Sequence, residues 1–380
     1  MYSLEEYGQM IADKPRMDAY VEAISRAVRP GDAVVDIGCG VGVFALLACQ
    51  AGARRVYAIE GSEIVHWGKQ LAEANGFADK IVFLRGDSRQ IDLPERVNVL
   101  VSDVRGSLPL YGEAIDSIAD ARKRFLLPGG IQIPKSDTLY AAIVEAGKTR
   151  DEITLPWVRS LNGLDMSCVL PTLLNATYYT RVSPETLLSD AKDWCHLEHA
   201  ENPSKKAAAN LRFSVNREGT AHGIALWFET RLLEEIRYSS GPSVKDTVYG
   251  RFFLPWPEPV SLAEGDEIEV ALHADIVGEA YIWRWATKIP GGAGREPRDF
   301  RQSTFQSARF SPDGLRRRTS GYVPSLSELG EAQRWMLQAI DGKASLEEIA
   351  QGAIREFPEV FRNLHDALRT AGELAEKFSR

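Results

Sequence analysis

Apolar side chains recur near helical spacing from Leu4 to Val28, with Tyr7, Met10, Met17, Tyr20 and Ile24 close to one face. That spacing predicts one or two helices, ended by the turn Arg29-Pro30-Gly31-Asp32. Shorter apolar runs then alternate with helical stretches. Ala33–Ile37, Val56–Glu60, Ile81–Leu84 and Val97–Val101 read as short buried strands. Between them, Val43–Gln50 reads as a helix stopped by Gly52. A second helix, capped by Ser62, runs to Asn75-Gly76, and a third spans Asp116–Leu127 before Pro128-Gly129-Gly130 breaks it. Strands alternating with helices predict a parallel sheet covered on both faces, an α/β fold of Rossmann-like type.

After Pro134 the period changes to two. The apolar side chains of Ile224, Leu226 and Phe228 share a face, as do those of Ile268, Val270 and Leu272, and those of Tyr281, Trp283 and Trp285. This alternation predicts antiparallel β-structure with one face packed and one solvated. From Leu326 onward the pattern is helical again, and Asp341-Gly342-Lys343 separates the first two helices. The expected organisation is N-terminal helices over 1–30, a Rossmann-like domain over 31–134, a β-rich domain over 135–315 and a small helical module over 316–380.

Bulk properties narrow the class of partner. A chain of 380 residues suits two or three domains. The formal net charge of −8 makes the phosphate backbone of nucleic acid an unfavourable main partner, whereas an acidic surface attracts basic peptides. Cys39, Cys49, Cys168 and Cys195 form no C-x-x-C pair and have no zinc-site spacing. No metal site is expected, and the thiols fit a reducing cytoplasm. The segment MYSLEEYGQM has neither a basic start nor an apolar core, so no signal peptide is expected, and no apolar run is long enough to span a membrane.

The sharpest motif is Asp36-Ile37-Gly38-Cys39-Gly40-Val41-Gly42, between a strand and a helix. Glycines at Gly38, Gly40 and Gly42 let the backbone turn tightly and approach a ligand. Dinucleotide binders also use glycine-rich loops, and glycines can serve tight turns alone. Here an acid opens the motif, an order that resembles methyltransferases. Glu60 ends the next strand, eighteen positions past Gly42, where a carboxylate can accept hydrogen bonds from both ribose hydroxyls, of NAD as well as of S-adenosylmethionine. Asp87 or Ser88, after the third strand, could bind the adenine amine. Gly61 and Ser102 complete the candidate cofactor set with Asp36 and Cys39.

At this point the chain resembles the protein arginine methyltransferases over about residues 7–290. Met10, Asp13, Arg16 and Tyr20 match the spacing of that family's N-terminal helix, and Leu127-Pro128-Gly129-Gly130 with Ile133-Pro134 resembles its step from sheet domain to β-barrel. Asn162–Ser167 resembles a barrel segment before a dimerisation arm. The resemblance implies a class I methyltransferase sheet followed by a β-barrel, S-adenosylmethionine as donor with S-adenosylhomocysteine as product, and a homodimer. It also implies that Arg16 grips the cofactor carboxylate and that Met10 lines the reacting centre. A guanidinium suits the first role because it forms two parallel bonds to a carboxylate.

The chain departs from the family where the acceptor would sit. The family's loop carries two glutamates; here Asp103 takes the first position, one methylene shorter, and Glu113 can take the second after a one-residue insertion. Arg105 replaces the usual methionine, and the family's Thr-His-Trp appears as Thr247-Val248-Tyr249, without the histidine. Two readings follow. In one, Asp103 and Glu113 clamp an arginine of a peptide or protein while Arg105 faces outward. In the other, Arg105 neutralises the acids or binds a negative group, and the acceptor is an amide, hydroxyl or carboxylate. Tyr7, Tyr249 and Trp283 are candidate substrate contacts, and His273 could face the cleft. A catalytically silent binding protein on this fold is the rival from another class. His196 and His199 read as a solvated surface pair.

Leu326–Gly330, Trp335, Asp341-Gly342-Lys343 and Leu346–Ala350 resemble the small PqqD-like domains. That resemblance implies capture of the leader segment of a precursor peptide, often by strand addition; a generic helical bundle is the alternative.

Overall fold

The computed structural model describes residues 2–379 apart from 160–161, 202, 245–246, 279, 293–294 and 308–310. The chain separates into two compact units, Met1–Ala308 and Arg309–Arg380, a division ahead of the expected 315/316 edge.

The larger unit begins with helices α1 (Leu4–Ala12) and α2 (Lys14–Ala27). Ser3 and Glu6 cap α1 reciprocally, each side chain bonding the other's backbone N–H. Asp13 closes α1 and opens α2, with Pro15 in the first turn where its missing N–H costs nothing. Helix α1 buries no residue, whereas α2 packs Tyr20, Ala23 and Ile24 into the core.

Five parallel strands follow: β1 (Ala33–Ile37), β2 (Arg55–Glu60), β3 (Ile81–Arg85), β4 (Val97–Ser102) and β5 (Leu126–Ile133), in the order β3-β2-β1-β4-β5. Helices α3 (Val43–Gln50), α4 (Val65–Ala74) and α5 (Ala114–Phe125) connect them. All five residues of β1 are buried, as a central strand covered on both faces requires. The α/β fold and its Rossmann-like sheet are as expected from the sequence. Two details differ. Ser62 does not cap α4, whose first turn has no side-chain cap; its backbone N–H bonds Glu60 instead. The stretch read as a break after α5 is part of β5, with the irregularity absorbed as a register shift beside β4.

The rest of this unit contains β6 (Ser136–Val144), α6 (Gly147–Val158), α7 (Leu170–Leu173), β7 (Tyr178–Thr180), β8 (Lys192–Glu198), β9 (Ala207–Ser214), β10 (Gly219–Arg231), β11 (Arg237–Ser239), β12 (Arg251–Leu262), β13 (Glu267–Val277), β14 (Ala280–Ile289) and β15 (Arg298–Ser303). They form two antiparallel sheets, β7-β12-β10-β6-β8 with β11 on β10, and β15-β14-β13-β9. Their inner faces share one core: Ile224, Leu226 and Phe228 of β10 meet Ile268, Val270, Leu272 and Trp285. The same core continues through Ala19, Tyr20 and Ile24 of α2 and Val34 of β1, so sheet domain and β-rich domain fold as one body. The alternation of β13 matches its one solvated face, with Ile268, Val270 and Leu272 buried between more exposed neighbours. Strand β10 does not: Ala225 and Trp227 are also buried, because Ile153 of α6 and Val182 and Leu187 cover its second face.

The smaller unit comprises α8 (Pro312–Arg316), which buries no residue, and α9 (Glu328–Ala339), α10 (Leu346–Glu356) and α11 (Leu364–Phe378) packed around Met336, Ile349, Ala353 and Ala371. Trp335 packs onto Gly352, where a Cβ would lie 2.4 Å from the indole. Among the described residues 311–379 there is no strand, so the leader-peptide mode by strand addition has no sheet edge here. Among the described residues no helix is long and apolar enough to cross a membrane, and no cluster of ligating side chains could hold a metal.

Candidate active site

Ligands of open α/β sheets bind beyond the carboxyl ends of the strands, where the strand order reverses. In this sheet that point lies between β1 and β4, whose ends deliver the glycine motif and Ser102-Asp103. A cavity of about 1070 Å³ opens there and runs from the glycine loop to the antiparallel sheets.

At one end the backbone forms a bare cradle. Gly38 and Gly40 take φ values of +70° and +54°, a region costly for other residues. A Cβ on Gly38 would lie 2.3 Å from Val104, and one on Gly40 would lie 2.4 Å from the Tyr7 ring, which α1 lays over the loop. Glu60 is held by two backbone donors, Gly40 N at 3.0 Å and Ser62 N at 2.9 Å, one on each oxygen. Each oxygen keeps a lone pair for a hydroxyl. Asp36 lies beneath the loop rather than in the cavity wall, fully buried, with the Ala45 backbone N–H near it but out of line for a regular hydrogen bond. Burial pushes its carboxyl up to about 7.

Of the other candidate cofactor residues, Cys39, Gly61, Asp87 and Ser88 line the cavity. Gly42 instead caps α3 in a left-handed conformation. Ser102 is also behind the wall: its carbonyl accepts from Tyr20 Oη at 2.9 Å and its hydroxyl has no partner.

Arg16 reaches the cavity from α2, with its guanidinium over the rings of Tyr20 and Phe44. Its Nε donates to Asp103 Oδ2 at 2.7 Å and its Nη1 to the Met10 carbonyl at 3.0 Å. Nη2 makes no hydrogen bond among the described residues. Tyr249 Oη donates to the same Asp103 oxygen at 2.6 Å. Arg105 Nε lies 2.9 Å from Asp103 Oδ1 as an ion pair, out of line for a hydrogen bond.

Arg105 does not face outward. Its side chain is 4% exposed and turns into the antiparallel sheets, where Nη1 donates to Asp137 Oδ1 at 2.6 Å and also meets Thr230. Asp137 Oδ2 pairs with His199 Nε2 at 2.7 Å. Burial alone would raise the Asp137 carboxyl, but Arg105 and then His199 outweigh it and hold it down to about 2. Burial opposes the charge on Arg105, yet Asp137 and the surrounding groups keep its pKa well above the ordinary value. The result is a buried chain of alternating charge, Arg16–Asp103–Arg105–Asp137, ending on His199.

Three expectations therefore change. His199 is not a surface residue but 3% exposed on Asp137, because the turn after β8 carries it inward. Glu113 does not join Asp103 in a pair: it binds Arg89 Nη2 at 2.6 Å on the cavity wall. His273 lines a separate shallow hollow of about 290 Å³ with Arg284 and Arg301, not the cleft. Tyr7, Met10, Tyr249 and Trp283 do line the main cavity, Trp283 mostly as core against Trp194 and Phe252.

Comparison with known proteins agrees with this geometry. Residues 17–134 match the model for ribosomal protein L11 methyltransferase (PrmA), and residues 135–276 match the arginine methyltransferase oligomerization subdomain. A probable protein arginine N-methyltransferase 6.1 of Oryza sativa subsp. indica is 30% identical over 301 residues, covering 68% of this chain and 78% of that protein. The chain belongs to the protein arginine methyltransferase family. A probable protein arginine N-methyltransferase 6 of Arabidopsis thaliana is 31% identical over 230 residues, which span 58% of this chain and about half, 53%, of that relative. Among solved structures, Arabidopsis thaliana protein arginine methyltransferase 10 superposes with a TM-score of 0.68 at 22% identity, over 78% of this chain and 96% of that one. A Trypanosoma brucei arginine methyltransferase enzyme–prozyme complex with AdoHcy gives the same TM-score at 19% identity, over 78% and 97% of the two chains.

Within this family member, sequence reasoning missed Asp137 and Thr230 behind the acceptor loop and Arg89 on the cavity wall, and it placed His199 on the surface. Asp137 carried one weak signal, a carboxylate in the polar start, Ser136-Asp137-Thr138, of a strand that is apolar from Leu139 on. Nothing in the sequence pointed to its partners 32, 62 and 93 positions away.

Proposed function

We propose that this chain transfers a methyl group from S-adenosylmethionine to a side-chain nitrogen of a peptide or protein, with arginine as the acceptor. The observation that carries this reading is a single cavity joining the glycine cradle and Glu60 to Asp103 and Glu113. The residues present fit the donor. Glu60 would hold the ribose hydroxyls, Asp87 and Ser88 the adenine, and Arg16 the carboxylate through its uncommitted edge, with Met10 beside the reacting centre. When bound, the donor supplies an electrophilic methyl on sulfur.

The acceptor side is set by electrostatics. A guanidinium keeps its proton at neutral pH, with a pKa above about 12, so it must be aligned and polarised rather than deprotonated first. Two unscreened cations about 5 Å apart repel by about 3 kcal/mol at an effective dielectric near 20. Arg105 would impose that penalty on an acceptor arginine if it stood alone, but Asp103 and Asp137 already balance it. Asp103 orders the loop through Arg16 and Arg105, while Glu113 would accept the acceptor's N–H groups and offset its charge.

A second reading draws on the same observation. Asp103 is matched by Arg16, Arg105 and Tyr249, which suits an uncharged acceptor such as an amide or hydroxyl. Mass spectrometry of arginine-containing peptides incubated with donor separates the two. A one-methyl mass increase on an arginine fragment supports the first, an increase on any other residue replaces it with the second, and donor binding without any transfer would leave a silent scaffold.

The chain is further read as a cytoplasmic homodimer. Trp157 and Val158 at the end of α6 and Leu164 beyond it are exposed, within the stretch that matches an oligomerization subdomain, and four free cysteines suit a reducing compartment. The smaller unit is read as a PqqD-like holder of a precursor's leader segment. Its exposed Leu329, Leu337 and Leu346 support docking along helices rather than by strand addition. Sedimentation, and co-elution of candidate precursors with the full chain, test these two points.

A further inference from the structure

Among the described residues, four carboxylates line the cavity: Glu60, Asp87, Asp103 and Glu113. Glu60 is fastened by two backbone N–H groups at the donor end. Asp103 is bound by the buried Arg16 and Tyr249, and removing either would strand a buried charge or a buried hydroxyl. Glu113 differs. Its side chain is 39% exposed, and among the described residues its one side-chain partner is Arg89 Nη2 at 2.6 Å. That ion pair holds the Glu113 carboxyl below the usual range.

Arg89 has a second anchor. Its Nε lies 3.0 and 3.1 Å from the two oxygens of Asp87, its Nη2 lies 2.7 Å from Oδ2, and Asp87 Oδ1 also accepts the Arg89 backbone N–H. Letting go of Glu113 therefore leaves Arg89 with a two-pronged carboxylate partner and creates no lone charge. An incoming guanidinium would replace like with like on Glu113.

We propose that Arg89 is a placeholder for the acceptor cation: it occupies Glu113 until an acceptor arginine displaces it, and so sets acceptor affinity. This rests on the arginine reading above. Arg89 acts here as a specificity-determining residue that opposes binding, so its removal should improve the enzyme, which loss of a merely structural residue would not do.

The test is steady-state kinetics of the full chain at saturating S-adenosylmethionine with an arginine-containing peptide, donor affinity being measured separately by calorimetry. Arg89→Gln should lower the peptide KM about two- to five-fold, the range open to a partly exposed ion pair, with kcat little changed. Glu113→Gln should raise KM, and adding Arg89→Gln to it should change nothing further. An unchanged or higher KM in Arg89→Gln overturns the proposal. So does an equal fall in the Glu113→Gln background, which would mean that Arg89 acts only through bulk charge. Transfer to a residue other than arginine in the wild-type chain removes the arginine reading and the placeholder together, whereas the first two results remove the placeholder alone.

Discussion

Replacing Arg105 with methionine, the residue that its family resemblance leads one to expect, breaks the buried charge chain at its centre. The Arg105 and Asp137 side chains are 4% and 1% exposed, and the bond between them is 2.6 Å. Methionine keeps an apolar stem of similar length but loses the guanidinium that lies over Phe228, and it leaves Asp137 with His199 and Thr230 alone. Removing one partner of a buried ion pair costs about 3–5 kcal/mol, because the other charge stays behind without its counterion. Asp137→Asn should cost less, since Arg105 keeps Asp103 at 2.9 Å. The double variant should then be more stable than Arg105→Met alone, with a coupling of about 1–3 kcal/mol. Urea unfolding followed by tryptophan fluorescence suits the measurement, because seven of the eight tryptophans lie in the larger unit. The pH dependence adds a second check. Asp137 is held down to about 2 in the folded protein, so its contribution is present above the ordinary carboxylate range and is lost as pH falls toward 2. In Arg105→Met that loss should begin at higher pH. A variant within about 1 kcal/mol of wild type at neutral pH, or a double variant whose cost is the simple sum, would refute the claim that these charges depend on each other.

Other consequences are as direct. Gly40→Ala puts a Cβ 2.4 Å from the Tyr7 ring at a φ of +54°, so it should destabilise by about 1 kcal/mol or more and weaken donor binding by calorimetry; wild-type affinity would disprove the cradle. Asp36 is raised to about 7 by burial, so its stabilising contribution is complete below the ordinary carboxylate range and fades as pH rises toward 7. Asp36→Asn should accordingly flatten the fall in melting temperature of the donor-free protein between pH 5 and pH 8, whereas parallel profiles would show that Asp36 is solvated. Tyr249→Phe removes an O–H donor 2.6 Å from a buried carboxylate and should cost about 1.5–3 kcal/mol in the same unfolding assay; an unaffected variant would mean that Asp103 does not need that bond.

What the sequence determined by itself was local. A strand, a glycine turn and the helix after it lie within residues 33–50, and Glu60 ends the next strand, so periodicity and glycine spacing carry them directly. Strand β5 escaped because Pro128-Gly129-Gly130 reads as a break wherever it stands, and only pairing with β4 makes that stretch a strand. The acceptor side was decided by tertiary structure. Thr230 faces Asp137 because β10 and β6 pair in that register, and His199 reaches the same carboxylate because its backbone N–H bonds Lys135 just before β6. An arginine in a loop can pair with any acid in reach, and the chain's spacing does not encode reach. Arg105 turned inward to Asp137, where burial makes an unpaired charge expensive, while the partly exposed Arg89 rather than Arg105 took Glu113 because folding brought those two within reach.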